Sequence, residues 1–195
     1  MPRRPALKSM ARPIMTATLV ALLAGCGFQL RGAPPVSSAL QPLAVECTDD
    51  IPDILCQSVL AQLELGEVQL SAAGSAAYVM KLSDFRENRR ASAITVQAAA
   101  AEYTLRHSVS IELISADRVP MIGDTRLTAS ESYRYDETNV LAKQREEEEL
   151  RTQLSDRLAQ QVIFRLAPLT EARIETIREE HRSASSESDD GAPTQ

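Results

Sequence analysis

The chain has 195 residues, with 21 Lys plus Arg against 27 Asp plus Glu and a formal net charge of −6, which is material for one domain of ordinary size. Apolar residues make up 44% and aromatic ones only 4%, with no Trp, so the core must be aliphatic and wholesale disorder is excluded. No nucleic acid is expected as a partner, because phosphate binding is driven by counterion release at clustered cations and no basic stripe stands out.

Arg3, Arg4, Lys8 and Arg12 open the chain without an acid, and a largely apolar run follows from Ile14 to Leu23. This is the pattern of a secretory signal peptide, and about ten residues fall short of the roughly 20 that span a bilayer. Next, Leu23-Ala24-Gly25-Cys26 resembles the lipobox of bacterial lipoproteins, in which small residues expose the bond ahead of an acylated Cys. The expectation is a signal peptide over residues 1–25 and lipidation of Cys26. One acyl chain anchors only marginally, at about 0.8 kcal/mol per buried methylene, so several chains are needed to hold a protein at a membrane. Gly27 rather than Asp follows the Cys. In the enterobacterial pattern an Asp there retains a lipoprotein at the inner membrane, so the resemblance implies the outer membrane, on its periplasmic side. Cleavage removes four cations and no acid, leaving a body still more acidic, on which contact with an anion must come from a local cluster of cations.

Cys47 and Cys56 remain in a compartment oxidising enough for a disulfide to persist. A bridge between them is favoured, with two buried free thiols as the alternative.

Residues 33–42, rich in Pro and Ser, read as a tether, so that residues 26–42 form the lipidated lead-in to a domain over 43–180. Leu43 to Glu46 is a short strand. Asp49, Asp50 and Pro52 mark a helix start, Leu55, Val59 and Leu63 repeat every four residues, and Gly66 is placed to cap the end, predicting a helix over 52–65. A short piece at 68–70 and a loop at 72–75 lead to a strand over 78–85. From Tyr103 to Leu113 apolar and polar residues alternate strictly, the mark of a strand with one face on a core. A turn at 115–118 leads to a second alternating run, 125–134, and the two make a hairpin. Residues 136–139 supply capping groups for a helix over 139–167, along which Leu150, Leu154, Leu158, Val162 and Leu166 repeat until Pro168. Residues 181–195, where the composition turns to Ser, Asp and Gly, read as a disordered acidic tail. The pattern implies an α+β sandwich with both helices on one face of the sheet.

Nothing in the chain forms a catalytic constellation or a cofactor site. His107 lies on the apolar side of its strand and reads as a core histidine, His181 stands at the edge of the tail, and no His/Cys spacing suits a metal. Glu146 to Glu149 splay around a helix and read as a solvated face.

With a lipobox Cys in place, four motifs stand out in order: Cys26-Gly27-Phe28-Gln29-Leu30-Arg31-Gly32, Ala101-Glu102-Tyr103, Ser132-Tyr133-Arg134-Tyr135, and Leu141-Ala142-Lys143 before an acidic helix start. Together they resemble the LptE family of lipopolysaccharide-assembly lipoproteins. The resemblance implies two helices on one face of a four-stranded, mostly antiparallel sheet. It also implies a domain that plugs the outer-membrane β-barrel LptD, helps that barrel assemble, and binds lipopolysaccharide in transit. The basic residue of the family's lipopolysaccharide contact matches Lys143, a point charge suited to a lipid phosphate. The family's second basic position falls on Val96, and Arg89 and Arg90, read as part of the same inter-strand loop, are expected to supply the missing charge near Lys143. The apolar loop from Ala91 to Ala101 would then touch barrel or lipid.

A barrel lumen is wet and polar, so the polar face of the sheet is expected against it, with Arg106, Arg126 and Arg134 as contacts and Tyr133 and Tyr135 as anchors. Without the resemblance, the same anchor and fold class would also fit an accessory or scaffolding lipoprotein of another envelope-assembly system.

Overall fold

The computed structural model describes residues 36–94, 100–135 and 140–190; the signal peptide, the lipobox with Cys26, the middle of the β2–β3 connection and the capping residues 136–139 lie outside them. In chain order the elements are β1 (Leu43–Cys47), α1 (Asp53–Leu65), β2 (Tyr78–Ile94), β3 (Ala100–Ser115), β4 (Pro120–Arg134), α2 (Val140–Leu166) and α3 (Glu171–Asp190). The strands form one sheet in sequence order. β1 runs parallel to β2, reached through the α1 crossover, while β2–β3 and β3–β4 are antiparallel.

The two long periodicities produce the core. Leu55, Val59 and Leu63 of α1 and Leu154, Leu158, Val162 and Leu166 of α2 are fully buried, as are Leu82, Leu105, Val109 and Leu113 from the strands. Each such side chain contributes about 2 kcal/mol on leaving water. Both helices thus close one face of the sheet and leave the other open. Cys47, at the end of β1, is bridged to Cys56 in α1, with Cα atoms 6.3 Å apart.

The end of α1 departs from expectation in an instructive way. Gly66 does occupy the cap, but with φ −84°; the left-handed residue is Glu67, with φ 55°. Val68 N–H bonds Leu63 O at 3.0 Å and Glu67 N–H bonds Glu64 O at 2.9 Å, the paired bonds of a Schellman motif.

Three stretches expected to be loose are ordered. In the expected tether, Val36 and Leu40 are buried, and Ser37 Oγ accepts the Ala39 N–H at 3.2 Å to start a short 3-10 turn. β2 does not end at Phe85. It pauses at a bulge, where the register jumps from Ser83 to Arg86 and Asp84 turns left-handed with φ 52°. The Phe85 amide that the bulge frees from the ladder is taken by the Asp50 carboxylate at 2.8 Å, and pairing with β3 then resumes to Ile94. Much of the stretch read as a loop is therefore strand. The expected tail is also corrected: α3 is helical to Asp190. Thr170 supplies the start, with its carbonyl accepting from Ile174 N–H at 2.9 Å. Ile174 is buried and Ile177 packs on the core. Further along, Ser183 and Ser185 turn their hydroxyls back to carbonyls four residues earlier, so serine satisfies the helix instead of breaking it.

Candidate functional site

Ladder register decides which polar side chains meet. Across β2, β3 and β4, Glu87 stands opposite His107, Arg89 opposite Leu105, and Tyr103 opposite Tyr133, so all of these share the helix-covered face. Beyond the apolar core, that face carries a continuous polar chain. The Arg89 guanidinium lies 3.6 Å from the centre of the Tyr103 ring, a cation–π contact, and its Nε donates to Tyr133 Oη at 2.7 Å. Tyr133 Oη donates to Glu147 Oε2 at 2.5 Å, and Glu147 Oε1 accepts from Arg151 at 2.5 Å. Arg151 also forks onto Glu87 at 3.1 Å, and Glu87 holds His107 Nε2 at 2.9 Å. Tyr135 packs edge-on against Tyr103 with ring centres 5.4 Å apart.

The electrostatics follow from half-burial. Burial, with the Glu147 carboxylate beside it, pushes the Tyr133 phenol up to about 12, so it remains a donor. Burial pulls the His107 imidazole below its usual 6.5, against the opposing pull of Glu87. Burial also raises the Glu87 carboxyl, but hydrogen bonds from Arg151 and His107 outweigh it and leave the group lowered. Glu87 is therefore ionised and His107 neutral, with its proton on Nε2.

Arg89, Lys143, Glu147 and Arg151, together with Tyr135, line a cleft of about 450 Å³. Lys143 is held by Glu146 at 2.6 Å. The structure thus brings Arg89 and Lys143 to one cleft and separates Arg90 from them, because consecutive strand residues point to opposite faces. Tyr133 is also not a surface anchor: it is 4% exposed and its hydroxyl is committed. Glu87, Tyr103, Glu147 and Arg151 escaped sequence reasoning. The i,i+4 spacing of Glu147 and Arg151 was a legible signal; the pairing of Arg151 with Glu87 across 64 residues was not.

On the open face, Arg106, Arg126 and Arg134 stand where alternation placed them, joined by Arg86 and Arg90, all exposed. Arg86 and Arg126 both pair with Asp84. Arg86, Arg90 and Arg106 flank a shallow groove of about 490 Å³.

A model of the LptE family, described as lipopolysaccharide-assembly, matches residues 40–166. The LPS-assembly lipoprotein LptE of Photorhabdus laumondii is 30% identical over 161 residues, covering 82% of this chain and 87% of that protein. Its counterpart in Yersinia enterocolitica is 28% identical over 164 residues, 82% and 77% of the two. Among solved structures, a minor lipoprotein from Acinetobacter baumannii superposes with a TM-score of 0.55 at 26% identity, over 65% of this chain and 90% of that one. Rare lipoprotein B from Shewanella oneidensis shares the fold, with a TM-score of 0.58 at 22% identity over 68% and 98%. With motifs, fold and a family model over more than half its length in agreement, the chain belongs to the LptE family of lipopolysaccharide-assembly lipoproteins.

Proposed function

We propose that this chain is an outer-membrane lipoprotein, anchored through Cys26 on the periplasmic side, that plugs the LptD β-barrel, helps it assemble, and binds lipopolysaccharide on its way to the cell surface. The observation that carries the binding role is the meeting of Lys143 and Arg89 on one cleft. Lys143 occupies the basic position of the family motif, and its carboxylate partner Glu146 is its neighbour one helical turn on, so an incoming phosphate would exchange one charge-assisted contact of a half-buried Lys for another. Arg89 offers its terminal nitrogens, since Nε is committed to Tyr133. Arg151 lines the same cleft, but its guanidinium is held by Glu87, Glu147 and Glu148, so Lys143 and the terminal nitrogens of Arg89 are the groups offered to a phosphate.

The barrel role rests on family membership and on the polarity of the open sheet face, where Arg106, Arg126 and Arg134 would meet the lumen with Tyr135 at the sheet end. Mass spectrometry of proteins recovered with the tagged, lipidated chain from detergent-solubilised outer membranes tests it. A near one-to-one large β-barrel supports the plug. Recovery of the lipoprotein alone, under conditions that keep other barrel complexes intact, overturns it. For the binding role, Lys143→Ala in the full chain should weaken lipopolysaccharide binding about tenfold, the scale of one charge-assisted hydrogen bond, with no change in Tm; unchanged affinity removes Lys143 from the site.

A further inference from the structure

The chain has four tyrosines, and three of them surround one guanidinium. Cross-strand register assembles the group: Tyr103 pairs opposite Ala91 on one side and Tyr133 on the other, which leaves Arg89 diagonal to Tyr103 on the same face. Arg89 Cζ lies 3.6 Å from the centre of the Tyr103 ring and 5.8 Å from the centres of both Tyr133 and Tyr135. Ring faces attract the cation without taking up its N–H donors, so the cage holds the group and leaves its hydrogen bonds to others. One is used, Nε donating to Tyr133 Oη at 2.7 Å. The terminal nitrogens have no hydrogen-bond partner among the described residues, and the side chain that carries them lines the cleft with Lys143.

An acid stands behind the cage. Glu147, its side chain only 17% exposed, places Oε2 3.4 Å from Arg89 Nε and 2.5 Å from Tyr133 Oη, while Oε1 accepts from Arg151. The phenol keeps its proton, since its pKa is pushed up to about 12. It therefore stands between the two charges, donating to the carboxylate and accepting from the guanidinium. Without that hydroxyl, Oε2 loses a donor and Nε loses an acceptor, and the nearest replacement for each is the other. A carboxylate that meets an arginine directly favours two parallel N–H contacts, which would turn a terminal nitrogen of Arg89 toward Glu147 and away from the cleft. We infer that Tyr133 is the positioning residue of the cleft: its hydroxyl separates Arg89 from Glu147 and so keeps the terminal fork of the arginine free for a phosphate group of the lipid. This rests on the cleft being the lipopolysaccharide site, as proposed above. The role belongs to the hydroxyl and not to the ring, whose stacking on Tyr103, with centres 6.0 Å apart, a phenylalanine would preserve. Lys143 is independent of it, because its own carboxylate is Glu146.

The test is a double-mutant cycle on the lipidated full chain, with affinity for purified lipopolysaccharide measured for the parent, Tyr133→Phe, Glu147→Gln and the double variant, and for Lys143→Ala alongside. Tyr133→Phe should bind about tenfold more weakly, the scale of one hydrogen bond to a charged group. The double variant should bind within about twofold of Glu147→Gln alone, because a neutral amide has no charge with which to hold the fork. Equal losses from Tyr133→Phe in both backgrounds overturn the proposal, since a hydroxyl that only supported packing would be missed whether or not Glu147 carried a charge. Binding by Tyr133→Phe equal to the parent's overturns it as well. Lipopolysaccharide stripped of its phosphates should not distinguish Tyr133→Phe from the parent; a gap that survives dephosphorylation means that the fork reads another group, and the phosphate assignment falls. The control separates this inference from the reading beneath it. Undiminished binding by Lys143→Ala overturns the cleft as the lipid site and the positioning role with it, whereas a loss at Lys143→Ala with none at Tyr133→Phe overturns the positioning role alone.

Discussion

Tyr133 shows how one residue can be legible and misassigned at once. Its alternation with Leu127 and Ala129 already placed it on the inner face, yet its neighbours in the motif suggested an anchor for a partner. Inside, its hydroxyl joins Arg89 to Glu147, so it orders the cleft from behind. His107 was legible as a core histidine, but its partner Glu87 was not, since that residue lay in a stretch too polar to read as strand. The pair carries a pH dependence whose sign can be worked out. The imidazole is held below 6.5 in the fold, so the unfolded chain takes up the proton first as pH falls. Its stabilisation is complete above 6.5 and declines below it, until the folded form is protonated as well. The Glu87 carboxyl, lowered from 4.5, is stabilising above that value and loses its contribution as pH falls below it. His107→Gln should therefore flatten the fall in Tm between about pH 7 and pH 5, while the loss at lower pH persists; a slope equal to the parent's would remove His107 from the account. Glu67 supplies a second case. It holds a left-handed conformation that a Cβ disfavours, whereas the adjacent Gly66 does not use its freedom. Glu67→Gly should stabilise the chain by about 0.5–1 kcal/mol, the relief of left-handed strain less the entropy of a looser unfolded chain, and urea denaturation would measure it.

The elements that sequence described well are those with a sustained period. α1, α2, β3 and much of β4 follow directly from apolar residues recurring at intervals of about four or of two, because periodic burial is itself what folds them. β2 beyond Phe85 has no such period. Glu87 and Arg89 point inward with charges on them, and what holds the strand is the ladder to β3 together with partners on β3, β4 and α2 that are distant in sequence. α3 was missed for a related reason. Its apolar content on the core is Ile174 and Ile177, too sparse to reveal a stripe among Ser, Glu and Arg. The helix closes one end of the core even so, with Arg178 lying over Tyr78 and donating to its hydroxyl at 3.4 Å. Truncation after Leu169 should cost about 2–4 kcal/mol, chiefly the burial of the two isoleucines. Truncation after Arg182 should cost nothing measurable, because Ser183 to Ser186 are exposed. Equal Tm values for the two truncations would show that α3 contributes no packing.

At the scale of the whole molecule, two sheet faces of unlike chemistry divide the work. One packs α1 and α2 and ends in the Arg89–Lys143 cleft; the other stays open and basic. The alternation on β3 and β4 made that division readable, while the positions of Arg89 and Arg90 on opposite faces became clear only once β2 was seen to continue. The two edges of the sheet are treated differently from either face. α2 reaches over β4 and caps its backbone, Gln161 donating to Thr128 O at 3.1 Å and Arg157 to Ser130 O at 3.4 Å. At the opposite side, β1 is flanked by the segment after α1, with Leu43 N–H bonding Gln69 O at 2.9 Å and Ser71 N–H bonding Leu43 O at 3.0 Å. An uncapped edge is a template for pairing with another chain. A lipoprotein is confined to two dimensions, where copies meet far more often than in free solution, and Gln161, Arg157 and residues 69–71 keep those encounters from growing into a shared sheet.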